Sequence, residues 1–275
     1  MPEITAAAVK ALRDRTGLPM MDCKRALEEA QGNPEVAIEI LRKSGQKVME
    51  KRAGRETAFG RIGMYCEPRA KTALVELLCE SAPVAKAEDF VALATELAKQ
   101  LALGPGADSA EALLSQPSSQ PGKTLRDVFE DTVNRIREAF RIGRILRIDG
   151  ACGAYLHHDG SKAGVVQVEG SQLDVARDIA MHVVAMRPTA LRREDLDPAL
   201  VAKEREILTE ATRKEGKPEN IIPKIVEGRL KDFYSQHCLV DQPFVKDPKT
   251  TVGKVAQAAG LTLLRYWYWE VGKES

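Results

Sequence analysis

Across residues 5–45 the apolar positions recur every three or four residues and break at glycines, which predicts three short helices. Thr5 is placed to cap the first, in which Val9 and Leu12 share a face and Thr16-Gly17 marks the end. Asp22 is expected to cap the second, which carries Ala26, Leu27 and Ala30 and stops at Gly32. Asn33-Pro34-Glu35 joins a capping amide, a proline at the first helical position and a first-turn carboxylate, so a third helix starts there. Val36, Ala37, Ile40 and Leu41 form its stripe, and Gly45 is expected to end it. Such a bundle has a small core and gains from being tethered to a larger body.

Beyond a basic linker at 47–55 the period shortens. Gly63-Met64-Tyr65 leads through Glu67-Pro68-Arg69 into Ala73-Leu74-Val75-Glu76-Leu77-Leu78 and then a helix at 87–103, which predicts a hairpin plus helix. Gly153-Ala154-Tyr155 leads through His158-Asp159-Gly160 into Gly164-Val165-Val166-Gln167-Val168-Glu169 and a helix at 174–186. The same β-β-α unit recurs, which predicts an α+β protein with two related subdomains side by side, helices on one face of each thin sheet and a groove between the copies. Residues 104–123, rich in Gly, Pro, Ser and Gln, are expected to be an exposed linker, followed by a helix at 125–142. Two helical arms at 198–234 break at Gly216-Lys217-Pro218; they form either a projecting antiparallel hairpin or a pair lying on the body. Residues 261–271, with Tyr266, Trp267, Tyr268 and Trp269, are expected to be a final strand whose aromatics pack in the core.

The chain has 275 residues, a formal net charge of +1 with both signs interspersed, and 5% aromatics. No whole-chain field exists to hold nucleic acid or an anionic membrane. No apolar run approaches the ~18 residues that span a bilayer, and Met1-Pro2-Glu3 is unlike a signal peptide, so a cytoplasmic protein is expected. Cys23, Cys66, Cys79, Cys152 and Cys238 are odd in number and lack Cys-x-x-Cys spacing, so they are expected to be reduced packing residues. Pro117-Ser118-Ser119-Gln120-Pro121-Gly122-Lys123-Thr124 ends like a phosphate-binding loop but lacks its first glycine and a preceding strand. No bound nucleotide, cofactor or metal is expected, and no Ser-His-Asp set supports an enzyme.

Thr16-Gly17-Leu18-Pro19-Met20-Met21 puts two methionines between helices, where they either plug the bundle or offer a soft, adaptable binding surface. The run from Leu12-Arg13-Asp14-Arg15-Thr16-Gly17-Leu18-Pro19-Met20-Met21 through Asp22-Cys23-Lys24-Arg25-Ala26-Leu27 resembles the N-terminal signature of the elongation factor Ts family. Ile179-Ala180-Met181-His182-Val183, Gly216-Lys217-Pro218, Val226-Glu227-Gly228-Arg229 and Gln242-Pro243-Phe244-Val245-Lys246-Asp247-Pro248 look like further landmarks of it, in order. The resemblance implies a bundle (1–54) similar to ubiquitin-associated (UBA) domains, a first core unit (55–150) and a second (151–275) that includes the hairpin at about 198–237. It implies a guanine nucleotide exchange factor that grips the GDP form of elongation factor Tu and then its nucleotide-free form, with a homodimer left open. A UBA-like adaptor is the rival reading.

The resemblance also implies the site residues. Lys10, Arg13, Met20, Met21 and Lys24 match positions that dock on the partner GTPase, as do Ile136, His157, Val245 and Lys246 elsewhere. The family contact Ile-Gly falls on Ile136-Arg137, so its glycine is gone, and Lys246 replaces the apolar residue of some members. In the family Thr-Asp-Phe-Val follows Cys-Glu, and its Asp-Phe pair intrudes near the partner's magnesium. Here Cys79-Glu80 is followed by Ser81, Ala82, Pro83 and Val84, so a rigid apolar wedge at Pro83 is expected without a carboxylate at Ala82. Without the resemblance 81–84 is an ordinary strand-to-helix loop. Asp89-Phe90 falls on later helix positions and is rejected as the wedge. His158-Asp159 is better explained as an Asp-Gly hairpin turn than as a metal site, and His182 as a hydrogen-bonded core histidine. Some members carry an extra C-terminal helix, whose contacts are expected to be missing from a chain ending at Ser275.

Overall fold

The computed structural model describes residues 4–52 and 54–273; Met1-Pro2-Glu3, Ala53, Glu274, Ser275 and the side chains of 48–50 lie outside the described residues. The chain opens with α1 (Ala6–Thr16), α2 (Met20–Glu29) and α3 (Pro34–Arg52). The Thr5 hydroxyl accepts the Ala8 N–H at 3.2 Å, and Asn33 Oδ1 accepts from Glu35 at 3.0 Å and Val36 at 3.3 Å, so both caps form as expected. Val9, Leu12, Cys23, Ala26, Leu27, Ala37 and Leu41 fill the small core.

Three expectations change here. The second helix starts at Met20 behind Pro19, which leaves Asp22 inside the first turn as a favourable charge at the positive helix end instead of the cap. Met20 and Met21 lie on that helix, not in a loop, and at 50% and 58% exposure they plug nothing. Gly45 does not end α3, which runs on to Arg52 through much of the expected basic linker. A Cβ at Gly45 would lie 2.1 Å from the Asn134 side chain, so this glycine lets α3 approach the core body.

The body starts with β1 (Phe59–Glu67) and β2 (Lys71–Cys79), continues through α4 (Glu88–Leu103), α5 (Ala110–Leu114) and α6 (Leu125–Ile136), and returns as β3 (Phe140–Asp149). These strands form an antiparallel sheet in the order β1-β2-β3. The second half adds β4 (Cys152–Leu156), β5 (Lys162–Glu169), α7 (Leu173–Met186), the antiparallel pair α8 (Pro198–Lys214) and α9 (Ile222–His237), a ribbon of β6 (Pro243–Phe244) and β7 (Asp247–Thr251), α10 (Val252–Ala258) and β8 (Thr262–Glu270). Its sheet runs β4-β5-β8, so each repeat is a hairpin, a covering helix and a third strand returning beside the hairpin's second. The equivalent glycines Gly63 and Gly153 explain the shared geometry. A Cβ at Gly63 would lie 1.9 Å from the Ala94 carbonyl of α4, and one at Gly153 2.1 Å from the Ala176 backbone of α7.

The two sheets stack. Ala73, Val75, Leu77 and Cys79 of β2 face α4, α5 and α6, while Val166 and Val168 of β5 face α7. The opposite faces bring Ile62, Leu74 and Ile148 against Cys152, Ala154, Ala163, Val165 and Trp269, giving four layers: helices, sheet, sheet, helices. The copies therefore share a buried inner core where a groove was expected. At its edge Glu76, 4% exposed, accepts from Arg144 Nε at 3.0 Å and Nη2 at 2.9 Å, and from the Gly272 N–H at 3.0 Å. Arg144 also lies 4.6 Å over the Trp269 ring and donates to the Glu270 carbonyl at 2.9 Å, which ties one sheet to the other.

Residues 104–123 are packed rather than a free linker. Leu113 and Leu114 enter the first core, and Gln116 is buried, accepting from Gln100 at 3.1 Å and donating to the Gly106 carbonyl at 2.7 Å. The phosphate-loop lookalike is a helix entrance: Thr124 and Asp127 form a capping box, and Lys123 pairs with Asp131 at 2.7 Å. The helix expected at 125–142 ends at Ile136, and its last residues belong to β3. In the helical pair Ile222, Val226 and Leu230 close on Leu208, and its base packs on Ala190, Leu196 and Cys238. Residues 262–270 form the expected last strand, with Trp269 buried and Trp267 packed in the inner layer. All five cysteines are unbridged, and burial pushes the Cys79 and Cys152 thiols up to about 11.

Candidate functional site

On the bundle Lys10 and Arg13 are exposed one turn apart on α1, whose buried positions are Val9 and Leu12. Met20, Met21 and Lys24 are exposed on α2, whose inner positions are Cys23, Ala26 and Leu27. The result is a soft apolar pair among cations on a rigid helical frame.

At the far end of β2 residues 81–84 form a wound turn. The Ala85 N–H donates to the Ser81 carbonyl at 3.3 Å, and a short 3-10 turn follows at Val84–Lys86. Ala82 and Pro83 are exposed, Ser81 and Val84 half-buried, and Ala85 buried. Two carboxylates fix the turn. Glu138 accepts the Ser81 N–H at 3.0 Å and its hydroxyl at 2.5 Å. Glu80 accepts the Ala139 N–H at 2.6 Å, with Arg55 at 2.9 Å and Arg52 at 3.5 Å around it. The Glu80 carboxyl is held below the ordinary glutamate range, first by the Ala139 N–H against a smaller effect of burial, with both guanidiniums adding to it. Phe90 is fully buried against Phe140, whose ring centroid is 4.9 Å away, so it cannot serve as the wedge.

Ile136 lies half-buried at the end of α6, beside this turn. The next residue, Arg137, adopts the left-handed conformation at φ 63° and ψ 35° and pairs with Asp22 of α2. The structure thus brings the 81–84 turn, Ile136 and the base of the bundle to one end of the first sheet. His157 sits apart, in the β4–β5 turn. Its peptide N–H donates to the Lys162 carbonyl at 2.9 Å, its ring Nδ1 lies 3.3 Å from the Tyr155 hydroxyl, and its ring is tilted against that of His158. Asp159 accepts the Ser161 N–H and hydroxyl, each at 2.8 Å, which makes it a turn residue. Among the described residues no group of three or more His, Cys, Asp or Glu side chains is arranged to hold a metal ion.

Val245 and Lys246 occupy a third place, the turn of the β6–β7 ribbon. The Val245 N–H donates to His182 Nδ1 at 3.1 Å, and His182 Nε2 meets Gln242 Oε1 at 2.9 Å. That amide is oriented by its own donation to the Gln236 carbonyl at 2.9 Å. Burial pulls the His182 ring below its ordinary range, and only the neutral form with its proton on Nε2 satisfies both partners. His182 is therefore the core histidine expected, and it also holds the Val245 turn. Val245 is exposed and Lys246 pairs with Asp178 at 2.6 Å.

Glu138, Arg137, Arg52 and Arg55 escaped the sequence reading. Arg137 registered only as a lost glycine, and nothing in the sequence sets Glu138 apart from the charges around it.

The sequence model of the family described as Elongation factor TS matches residues 83–273. A protein called Elongation factor Ts from Micrococcus luteus is 43% identical over 99% of this chain and 100% of its own length. Relatives with the same description from Methylococcus capsulatus, 40% identical over 98% of this chain and 92% of theirs, and from Aquifex aeolicus, 39% identical over 96% of each, are similar across the same span. With more than two thirds of the chain inside the family model and whole-length relatives at this identity, the chain belongs to the elongation factor Ts family.

Proposed function

We propose that this translation elongation factor is a guanine nucleotide exchange factor for elongation factor Tu, acting in the cytoplasm without catalytic residues of its own. It binds the GDP form, then the nucleotide-free form, and promotes GDP release by disturbing the partner's magnesium and phosphate site. The observation that carries this is the exposed Ala82-Pro83 turn, held rigidly at the end of β2 next to a bundle presenting Met20 and Met21. The bundle docks and the turn intrudes. A displaced switch element costs magnesium its ligands, and the nucleotide loses the ion that held its β-phosphate. Ala82 offers no carboxylate, so the intrusion is steric, through Pro83.

Linkage fixes a further property: a factor that lowers GDP affinity is itself bound less tightly by the GDP form, by the same ratio. The family match at 83–273 lies outside the bundle, which speaks against a UBA-like adaptor. Stopped-flow release of labelled GDP from elongation factor Tu tests the proposal. Release should accelerate with factor concentration and then saturate; a rate unchanged at saturating factor refutes it.

A further inference from the structure

Three consecutive residues between α6 and β3 each reach a different part of the proposed exchange surface. Arg137 pairs with Asp22, the residue after Met21 on α2. Glu138 accepts both Ser81 donors, at 3.0 and 2.5 Å. The Ala139 N–H reaches Glu80 at 2.6 Å, and Glu80 holds Arg52, the last residue of α3, at 3.5 Å and Arg55 at 2.9 Å. One turn therefore joins the start of α2 and the end of α3 to the strand end that carries Ala82 and Pro83.

The chemistry suits a fixed mount. Glu138 binds a peptide N–H and a hydroxyl on the same residue through separate oxygens, so Ser81 is fixed both along the chain and about its χ1 torsion. Arg137 keeps a left-handed backbone without being glycine, a conformation that persists only where the surroundings over-determine it. We propose that Glu138 is a positioning residue for nucleotide exchange, and that 137–139 set the Ala82-Pro83 turn in one orientation relative to the bundle. Docking the bundle then delivers the wedge preorganised, without a search over loop conformations. This rests on the exchange reading above.

Stopped-flow GDP release over a range of factor concentrations separates arrival from insertion, using the full chain and the variants Glu138→Ala, Glu138→Gln and Ser81→Ala. Glu138→Ala should lower the saturated release rate roughly tenfold while moving the half-maximal concentration less than about twofold. Ser81→Ala keeps the hydrogen bond from the peptide N–H to Glu138 and should lose less. Glu138→Gln keeps one acceptor and should fall between. The Ser81→Ala/Glu138→Ala double variant should be no worse than Glu138→Ala alone, since the hydroxyl contact that Ser81→Ala removes is already lost in Glu138→Ala. A full saturated rate in Glu138→Ala, or a loss confined to the half-maximal concentration, overturns the assignment. If Glu138→Ala fails to fold, Glu138→Gln and Ser81→Ala decide, and unaltered rates in both overturn it. If the unaltered protein does not accelerate release, the exchange reading falls and takes this inference with it.

Discussion

Ala82 and Pro83 divide the tip unequally. Ala82 contributes only a methyl group, while Pro83 presents a ring whose φ of −60° is fixed by its own covalent structure. Pro83→Gly removes both the bulk and the stiffness. The saturated GDP release rate should drop several-fold while the docking affinity stays within about twofold. An unchanged release rate would remove 81–84 from the mechanism. His182 permits a second test. Its native value is lowered by burial, so below the ordinary histidine value near 6.5 the unfolded chain binds more protons than the native one. Stability should therefore decline as pH falls from about 6.5 toward the lowered native value, and be independent of His182 above that window. Urea midpoints at pH 7.5 and pH 5.5, compared with those of His182→Gln, check this; equal slopes in the two proteins would refute it.

Among the elements, those with a clean period were legible and those with a packed irregularity were not. The first and third helix starts and both hairpins follow from caps, alternation and turns. β3 was hidden because Arg141, Arg144 and Arg147 recur every third residue, which imitates a helical face. The cause is a bulge: Val75 pairs with Ile145 but Leu77 with Ile142, so the strand takes an extra residue and loses its period of two. Gly45 misled because glycine marks helix ends in sequence, whereas here it admits Asn134. The tip itself was placed by resemblance, while its two carboxylate anchors come from distant segments that no local pattern connects. Gly63 supplies the element-scale prediction. A methyl there must push α4 off β1, so Gly63→Ala should lower stability by about 2–3 kcal/mol, read from its urea midpoint, and an unchanged midpoint would contradict the tight strand-helix contact.

At the scale of the whole molecule the duplicated units make a single inner layer. The signal lay in β2, whose residues from Thr72 to Cys79 are all buried, as in a strand covered on both faces. Alternation shows that a strand has two faces but not what covers the second. Glu76 and Arg144 close this layer, and breaking the pair leaves a carboxylate 4% exposed without its cation. Arg144→Ala should therefore cost about 3–5 kcal/mol, whereas the Glu76→Leu/Arg144→Met double variant should recover most of it. Trp267 and Trp269 lie in the second sheet and report on it directly. Their fluorescence should change at the same denaturant concentration as the far-ultraviolet circular dichroism, and separate transitions would show that the sheets are not one cooperative unit.

The strand order of the second sheet also has a cost in time. β5 waits for β8 as its outer partner, and the chain between them holds the helical pair, the ribbon and α10. At a ribosomal output of about 5–20 residues per second, the β5 edge of each new molecule stays unpaired for on the order of ten seconds. During that interval two nascent copies on one messenger carry the same open edge, a template for pairing with the wrong chain. A factor that serves elongation is thus, while being made, exposed to the pace of elongation itself.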